Sequence, residues 1–223
     1  MDLLQTYFVT RDDERVEGFD LRERDIMYSY MAFWALFSYF AFSMPRQNYL
    51  GISRYVSSVH SAILALLSAL YLHGNISMRA WQRWQALPVG YLLYDLTLLL
   101  VNASTDWAMY LHHVAFLSFS GYFFPRLPRE VTISYLSEIT TPFFNAFFHY
   151  RSHNPKTAML CASIVVLLWP FLRIANFSAG TVTCAVVYKS IPTTAAIGSI
   201  TVMNVYWYMR ILMKLWYAVK KRS

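Results

Sequence analysis

The sequence predicts an all-α membrane protein of about seven helices, with one peripheral helix beside a bundle or ring of six around a polar centre. Three observations carry this prediction. Of the 223 residues, 57% are hydrophobic and only 14% charged, whereas soluble domains are about a quarter charged. Seven stretches approach the ~20 mainly apolar residues that a helix needs to cross the hydrocarbon core. Six of the seven also carry polar side chains that repeat at helical spacing.

The first stretch covers residues 26–44 and is ended by Pro45-Arg46; the second, residues 55–73, precedes a polar loop with Gly74, Arg79 and Arg83. The third (87–103) and fourth (107–124) are separated only by Ser104-Thr105-Asp106, which implies an antiparallel hairpin. The fifth, residues 131–150, contains Glu138, Thr140, Thr141, Pro142 and Asn145, so it crosses only with its polar side against protein. The sixth covers 158–177. The seventh, 193–217, follows an interruption at 189–192, and the sequence leaves open whether 182–188 re-enters the membrane. No repeat or linker divides the chain, so one transmembrane domain, residues 26–217, lies between an acidic N-terminal segment (1–25) and a basic tail (218–223).

Charge is segregated along the chain. Eight of the twelve acidic residues (Asp2, Asp12, Asp13, Glu14, Glu17, Asp20, Glu23, Asp25) precede the first apolar run, leaving fifteen basic against four acidic residues in the rest. The Lys and Arg lie between apolar runs or at the C-terminus, as topology determinants do, which argues against a nucleic-acid partner. Cys161 and Cys184 have neither metal-ligand nor disulfide-framework spacing and read as small hydrophobes. The N-terminus lacks a basic region ahead of a short apolar one, so the first span is expected to serve as the targeting signal. Arg210, Lys214, Lys220, Lys221 and Arg222 cluster near a helix end, which places the C-terminus in the cytosol. An odd number of spans then puts the N-terminus in the lumen. Lys220-Lys221-Arg222-Ser223 resembles a dilysine retrieval signal and points to the endoplasmic reticulum membrane; the alternative is a basic end resting on anionic lipid. Sequons stand at Asn75, Asn102 and Asn176, and this topology makes the Asn75 loop luminal.

The polar stripes locate the candidate site. They comprise Ser53, Ser57 and His60; Tyr91, Asp95 and Asn102; Asp106, Tyr110 and His113; Ser134, Glu138, Thr141, Asn145 and His149; Arg173 and Asn176; Thr201, Asn204 and Tyr208. The first span has none and is expected at the periphery. Ser57, Thr201 and Asn204 fit inter-helix hydrogen bonding. By contrast, His60, Asp95, His112, His113, Glu138 and Arg173 are too many titratable groups for that role alone. Arg173 can pair with Asp95 or with Glu138. A metal site is disfavoured, because adjacent histidines point about 100° apart on a helix.

These residues, in order, resemble the TLC domain shared by ceramide synthases and several smaller membrane proteins. The likeness covers about residues 40–220. It runs through His60-Ser61-Ala62, Tyr94-Asp95, Asp106-Trp107, His112-His113, the segment Ser137-Glu138-Ile139-Thr140-Thr141-Pro142-Phe143-Phe144-Asn145, Arg173, and Asn204-Val205-Tyr206-Trp207-Tyr208. The resemblance implies a ring around a long cavity that admits a lipid chain. It makes His112 and His113 the catalytic pair with Asp95 or Glu138 as orienting carboxylate, for a histidine acting as nucleophile or general base on a thioester carbonyl. It places His60, Tyr94, Thr141, Asn145, Arg173, Asn204 and Trp207 at the substrate cavity, where the stripe on the fourth span adds Tyr110. Ceramide synthases carry paired aspartates after their histidines, whereas this chain has Glu138 and is closer to the small non-synthase members. The expected function is acyl transfer from acyl-CoA, a co-substrate and not a bound cofactor, to a lipid acceptor. The expected partners are membrane lipids and fatty acyl chains. The alternatives are a non-catalytic lipid-binding regulator and, from the dilysine-like tail, a cargo-escort protein of the early secretory pathway.

Overall fold

The computed structural model describes residues 22–44, 48–102, 107–118, 128–186 and 189–220. Every element among them is helical: α1 (Glu23–Ser43), α2 (Tyr49–Leu72), α3 (Met78–Trp84), α4 (Ala86–Val101), α5 (Trp107–Ser118), α6 (Pro128–Tyr135), α7 (Thr140–Tyr150), α8 (Pro155–Trp169), α9 (Asn176–Val186) and α10 (Ile191–Lys220). A 3₁₀ turn, Leu136–Ile139, joins α6 to α7, and a π turn, Pro170–Ala175, joins α8 to α9. Local chemistry sets several boundaries. The Asn48, Ser77 and Asn154 side chains accept the N-terminal amides of Gly51, Ala80 and Thr157 at 2.9, 3.3 and 3.2 Å, as N-caps do. Past the end of α2, Gly74 takes the left-handed φ of 77° that glycine tolerates.

Three continuous helices, Tyr49–Leu72, Met78–Val101 and Pro155–Val186, are long and apolar enough to cross a membrane. The chain is therefore a membrane protein. The second of these begins at Met78, not at 87, because the stretch expected as a polar loop turns Trp81 fully inward, where its Nε1 donates to Thr132 Oγ1 at 2.7 Å. The third runs through Pro170 to Val186, so 182–186 continues the sixth span instead of forming a separate re-entrant piece. Pro170 has no N–H for the Val166 carbonyl. That carbonyl accepts the Tyr208 hydroxyl at 3.3 Å, which ties α10 to α8.

Packing between elements closes a ring. α2 contacts α4, α4 contacts α5, α5 contacts α10, α10 contacts α8 and α9, and the α6–α7 segment joins α8 and α9 back to α2. α1 lies outside this ring against α4 and α2, which is the peripheral position expected from its lack of a polar stripe. Gly90 permits the closest approach of α1: a Cβ there would stand 2.5 Å from Ser29 Cβ and Oγ and 2.8 Å from the Tyr30 backbone nitrogen. Gly90→Ala must therefore push α1 away. The expected loss is about 1–3 kcal/mol, read as a lower Tm of the purified protein in detergent, and an unchanged Tm would refute the close packing.

The acidic positions from Asp2 to Asp20, the stop at Pro45-Arg46, the Ser104-Thr105-Asp106 link, the end of the fourth span beyond 118 and Lys221 lie outside the described residues. For Lys220 the structure gives only its place as the last residue of α10.

Candidate functional site

The ring encloses a cavity of about 880 Å³, toward the upper end of the roughly 300–1,000 Å³ usual for small-molecule sites. At one end, the start of α2, the end of α7, the start of α8 and the C-terminal part of α10 form its mouth through Arg54, Phe148, Pro155 and Lys214. Toward the other end, Tyr135 lines it, fully buried and donating to Gln85 Oε1 at 3.0 Å.

Two polar assemblies occupy the wall. In the first, Asp95 on α4 meets His113 on α5, with His113 Nε2 2.8 Å from Asp95 Oδ2. Ser53 Oγ donates to the other carboxylate oxygen at 3.0 Å, and His113 Nδ1 lies 2.7 Å from the Met109 carbonyl. A carbonyl can only accept, so Nδ1 carries a proton and a second one must sit between Nε2 and the carboxylate. His113 thus has no ring nitrogen free.

The second assembly centres on Glu138. Ser61 Oγ and Thr141 Oγ1 donate to its Oε2 at 3.0 and 2.8 Å, and Arg173 Nη2 donates to Oε1 at 3.3 Å. Arg173 also donates from Nε to Thr140 Oγ1 at 2.8 Å and from Nη2 to Thr141 Oγ1 at 2.7 Å, and its guanidinium lies 4.6 Å from the Trp169 ring centroid. Of the two carboxylates open to it in the sequence, Arg173 takes Glu138. Both unusual turns serve this contact: the 3₁₀ turn carries Glu138 and the π turn carries Arg173, and such irregular turns often mark functional positions. A charge this deep needs full pairing, and the network supplies it.

Two histidines retain unused capacity. His112 Nδ1 is buried with no hydrogen-bond partner, and its ring is framed by Phe116 and Trp207 at centroid distances of 4.5 and 5.2 Å. His60 leaves both ring nitrogens without partners while stacking on Tyr91 at 3.8 Å, with Phe33 of α1 edge-on at 5.7 Å. Among the described residues no three His, Cys, Asp or Glu side chains gather as metal ligands.

Asp95, His112, His113, Glu138, His60, Thr141, Asn145, Arg173 and Trp207 all line the cavity. Three expected cavity residues stand elsewhere. Tyr94 neighbours Asp95 in sequence and so points about 100° away on the helix; it packs against Trp34, Phe33 and Phe37 of α1 at 5.1, 6.1 and 6.2 Å, and Tyr91 faces the cavity in its place. Tyr110 donates to the Leu99 carbonyl at 2.9 Å, one of the carbonyls that the end of α4 leaves open. Asn204 turns its amide to its own helix, at Ile200 O, while its backbone carbonyl accepts Trp169 Nε1 at 3.1 Å. Thr201 fits inter-helix bonding as expected, lying 3.2 Å from Thr181 Oγ1, and so does Ser57, which hydrogen-bonds Tyr91 while lining the cavity. The stripe of the fifth span is cut at both ends: Ser134 bonds Glu130 O within its own helix and His149 bonds the Tyr55 hydroxyl at 2.9 Å. Sequence reasoning missed Arg54, Arg151 and Lys214 as cavity residues. Lys214 read as part of the basic cluster near the C-terminus, and nothing local shows that the three meet.

No family model matches the chain, and no solved structure matches it. In an alignment 142 positions long that covers 55% of this chain, it is 34% identical to a protein of Danio rerio named TLC domain-containing protein 4-B. The match spans about half that relative, 53% of its length. Over that aligned half, this membrane-spanning chain is similar to a TLC-domain protein.

Proposed function

We propose that the protein moves an acyl chain from acyl-CoA to a lipid acceptor inside the ring, with His112 as the reacting side chain. The observation that carries this reading is the buried, unpartnered Nδ1 of His112 in a chain-sized cavity, beside a His113–Asp95 pair whose hydrogen-bonding atoms are already engaged. His112 takes the proton from the acceptor hydroxyl or amine as its oxygen or nitrogen attacks the thioester carbon. The carbon–sulfur bond breaks, and the imidazolium returns the proton to the departing thiolate. His113, Asp95 and Ser53 position this helix and do not themselves touch the reacting atoms. The test is incubation of the purified protein with labelled acyl-CoA and a panel of lysophospholipids and long-chain bases. Labelled product is expected for one acceptor class, and its absence across the panel removes the reading.

One observation favours a second reading, a lipid-binding regulator without turnover. Asp95, His113 and Glu138, three of the four side chains expected to be catalytic, are engaged in hydrogen-bonded ion pairs. Lipid that copurifies in the cavity while no acceptor is acylated would select this one.

The location we infer is the endoplasmic reticulum, with the C-terminal side of α10 cytosolic, supported by the basic cluster Arg210, Lys214, Lys220, Lys221 and Arg222. Serine at both Lys220 and Lys221 is expected to disperse a tagged protein from that membrane, and an unaltered distribution argues against retrieval.

A further inference from the structure

Three cations converge at the cavity mouth. The Arg54 guanidinium on α2 lies 4.7 Å from the centroid of the Phe148 ring, the Arg151 guanidinium just past α7 lies 5.1 Å from it, and Lys214 Nζ on α10 lies 5.8 Å from it. All four residues line the cavity. The arrangement is fixed from beneath: Asn145 Nδ2 donates to the Arg54 carbonyl and to Ser58 Oγ, both at 3.1 Å, and the Tyr55 hydroxyl holds His149. Among the described residues, the ion pairs are Arg24–Asp25, His113–Asp95 and Arg173–Glu138, so none of the three cations has a carboxylate partner.

A topology signal requires positive charge on one side of the membrane. It does not require three separate chain segments to deliver that charge to one ring at a cavity rim, where like charges repel. An anion would relieve the repulsion, and two guanidinium forks beside a lysine ammonium match phosphate oxygens. We propose that Arg54, Arg151 and Lys214 bind the phosphate of an amphiphile whose chain lies in the cavity. The proposal extends the acyl-transfer reading by naming a charge that one substrate carries. Lys214 and Trp207 are seven residues apart on α10, about 10 Å by helical rise. A phosphate at the mouth therefore leaves His112, beside Trp207, facing the chain-bearing part of the ligand and not its phosphate. The phosphate can belong to a phospholipid headgroup or to the coenzyme A portion of an acyl-CoA.

Binding separates these sources without any turnover. Trp169 and Trp207 line the cavity, so tryptophan fluorescence of the full chain in uncharged detergent reports titrations with lysophosphatidic acid, palmitoyl-CoA and uncharged monopalmitoylglycerol. Arg151→Gln and Lys214→Gln alter exposed side chains, and Tm verifies that each variant folds. Together they are expected to weaken phosphate-bearing ligands about tenfold or more while leaving monopalmitoylglycerol essentially unchanged; Arg151→Lys is expected to retain most of the affinity. Loss for palmitoyl-CoA alone assigns the phosphate to coenzyme A, loss for lysophosphatidic acid alone assigns it to a lipid headgroup, and loss for both assigns the site to phosphate in general. Equal weakening of the uncharged ligand, or no weakening of either phosphate ligand, overturns the proposal. If binding behaves as expected and no acceptor is acylated, the transfer reading falls and this one stands.

Discussion

Replacing His112 by alanine is expected to lower acyl transfer by about 10²–10⁴-fold, the range for loss of a positioned general base, with little change in folding. Folding should survive because Nδ1 makes no hydrogen bond that the substitution would break. His113→Ala is a different experiment. It strips Asp95, 6% exposed, of its imidazole partner and leaves Ser53 as its hydrogen-bond donor, so activity and stability fall together and the cause is obscured. The informative comparison is the transfer rate of His112→Ala against wild type, each with its Tm and its lipid-binding curve. A variant that folds, binds lipid and transfers at the wild-type rate excludes His112 from the chemistry.

The second large effect is structural. Arg173→Met leaves Glu138 deep in the wall with only the Ser61 and Thr141 hydroxyls. Stranding one partner of a buried pair costs about 3–5 kcal/mol, and in a chain this long that lowers Tm on the order of 10 °C. Combining it with Glu138→Leu removes the stranded charge and is expected to restore much of the loss, giving a clear coupling in a double-mutant cycle. Arg173→Lys should fall between, because an ammonium cannot replace the fork that serves Thr140, Thr141 and Glu138 from one plane. Purely additive losses in the cycle would show that the two charges do not depend on each other.

The residues behind these two effects were legible in the sequence to different degrees. Spacing alone marked Asp95, Glu138, Thr141 and Asn145 as inward, and all four line the cavity, since a straight helix keeps residues three and four apart on one face. The same rule put Tyr91 on the Asp95 face, and Tyr91 lines the cavity; Tyr94, expected there from the resemblance alone, lies one position from Asp95 and is covered by α1. The rule could not follow phase through the 3₁₀ turn, which replaces Ser134 at the cavity wall with Tyr135, nor through the π turn that presents Arg173.

Composition and periodicity thus determined that this chain lives in a membrane, that its helices are built to enclose polar groups, and that the first helix stands apart. Those properties are local, because each depends on residues within a few turns of one another. Tertiary structure alone decided that Arg173 joins Glu138, that His113 is engaged by Asp95 while His112 Nδ1 has no partner, and that Arg54, Arg151 and Lys214 share one rim. Each of these pairings joins residues from different helices, and their distances are set by closure of the ring, which no single helix encodes.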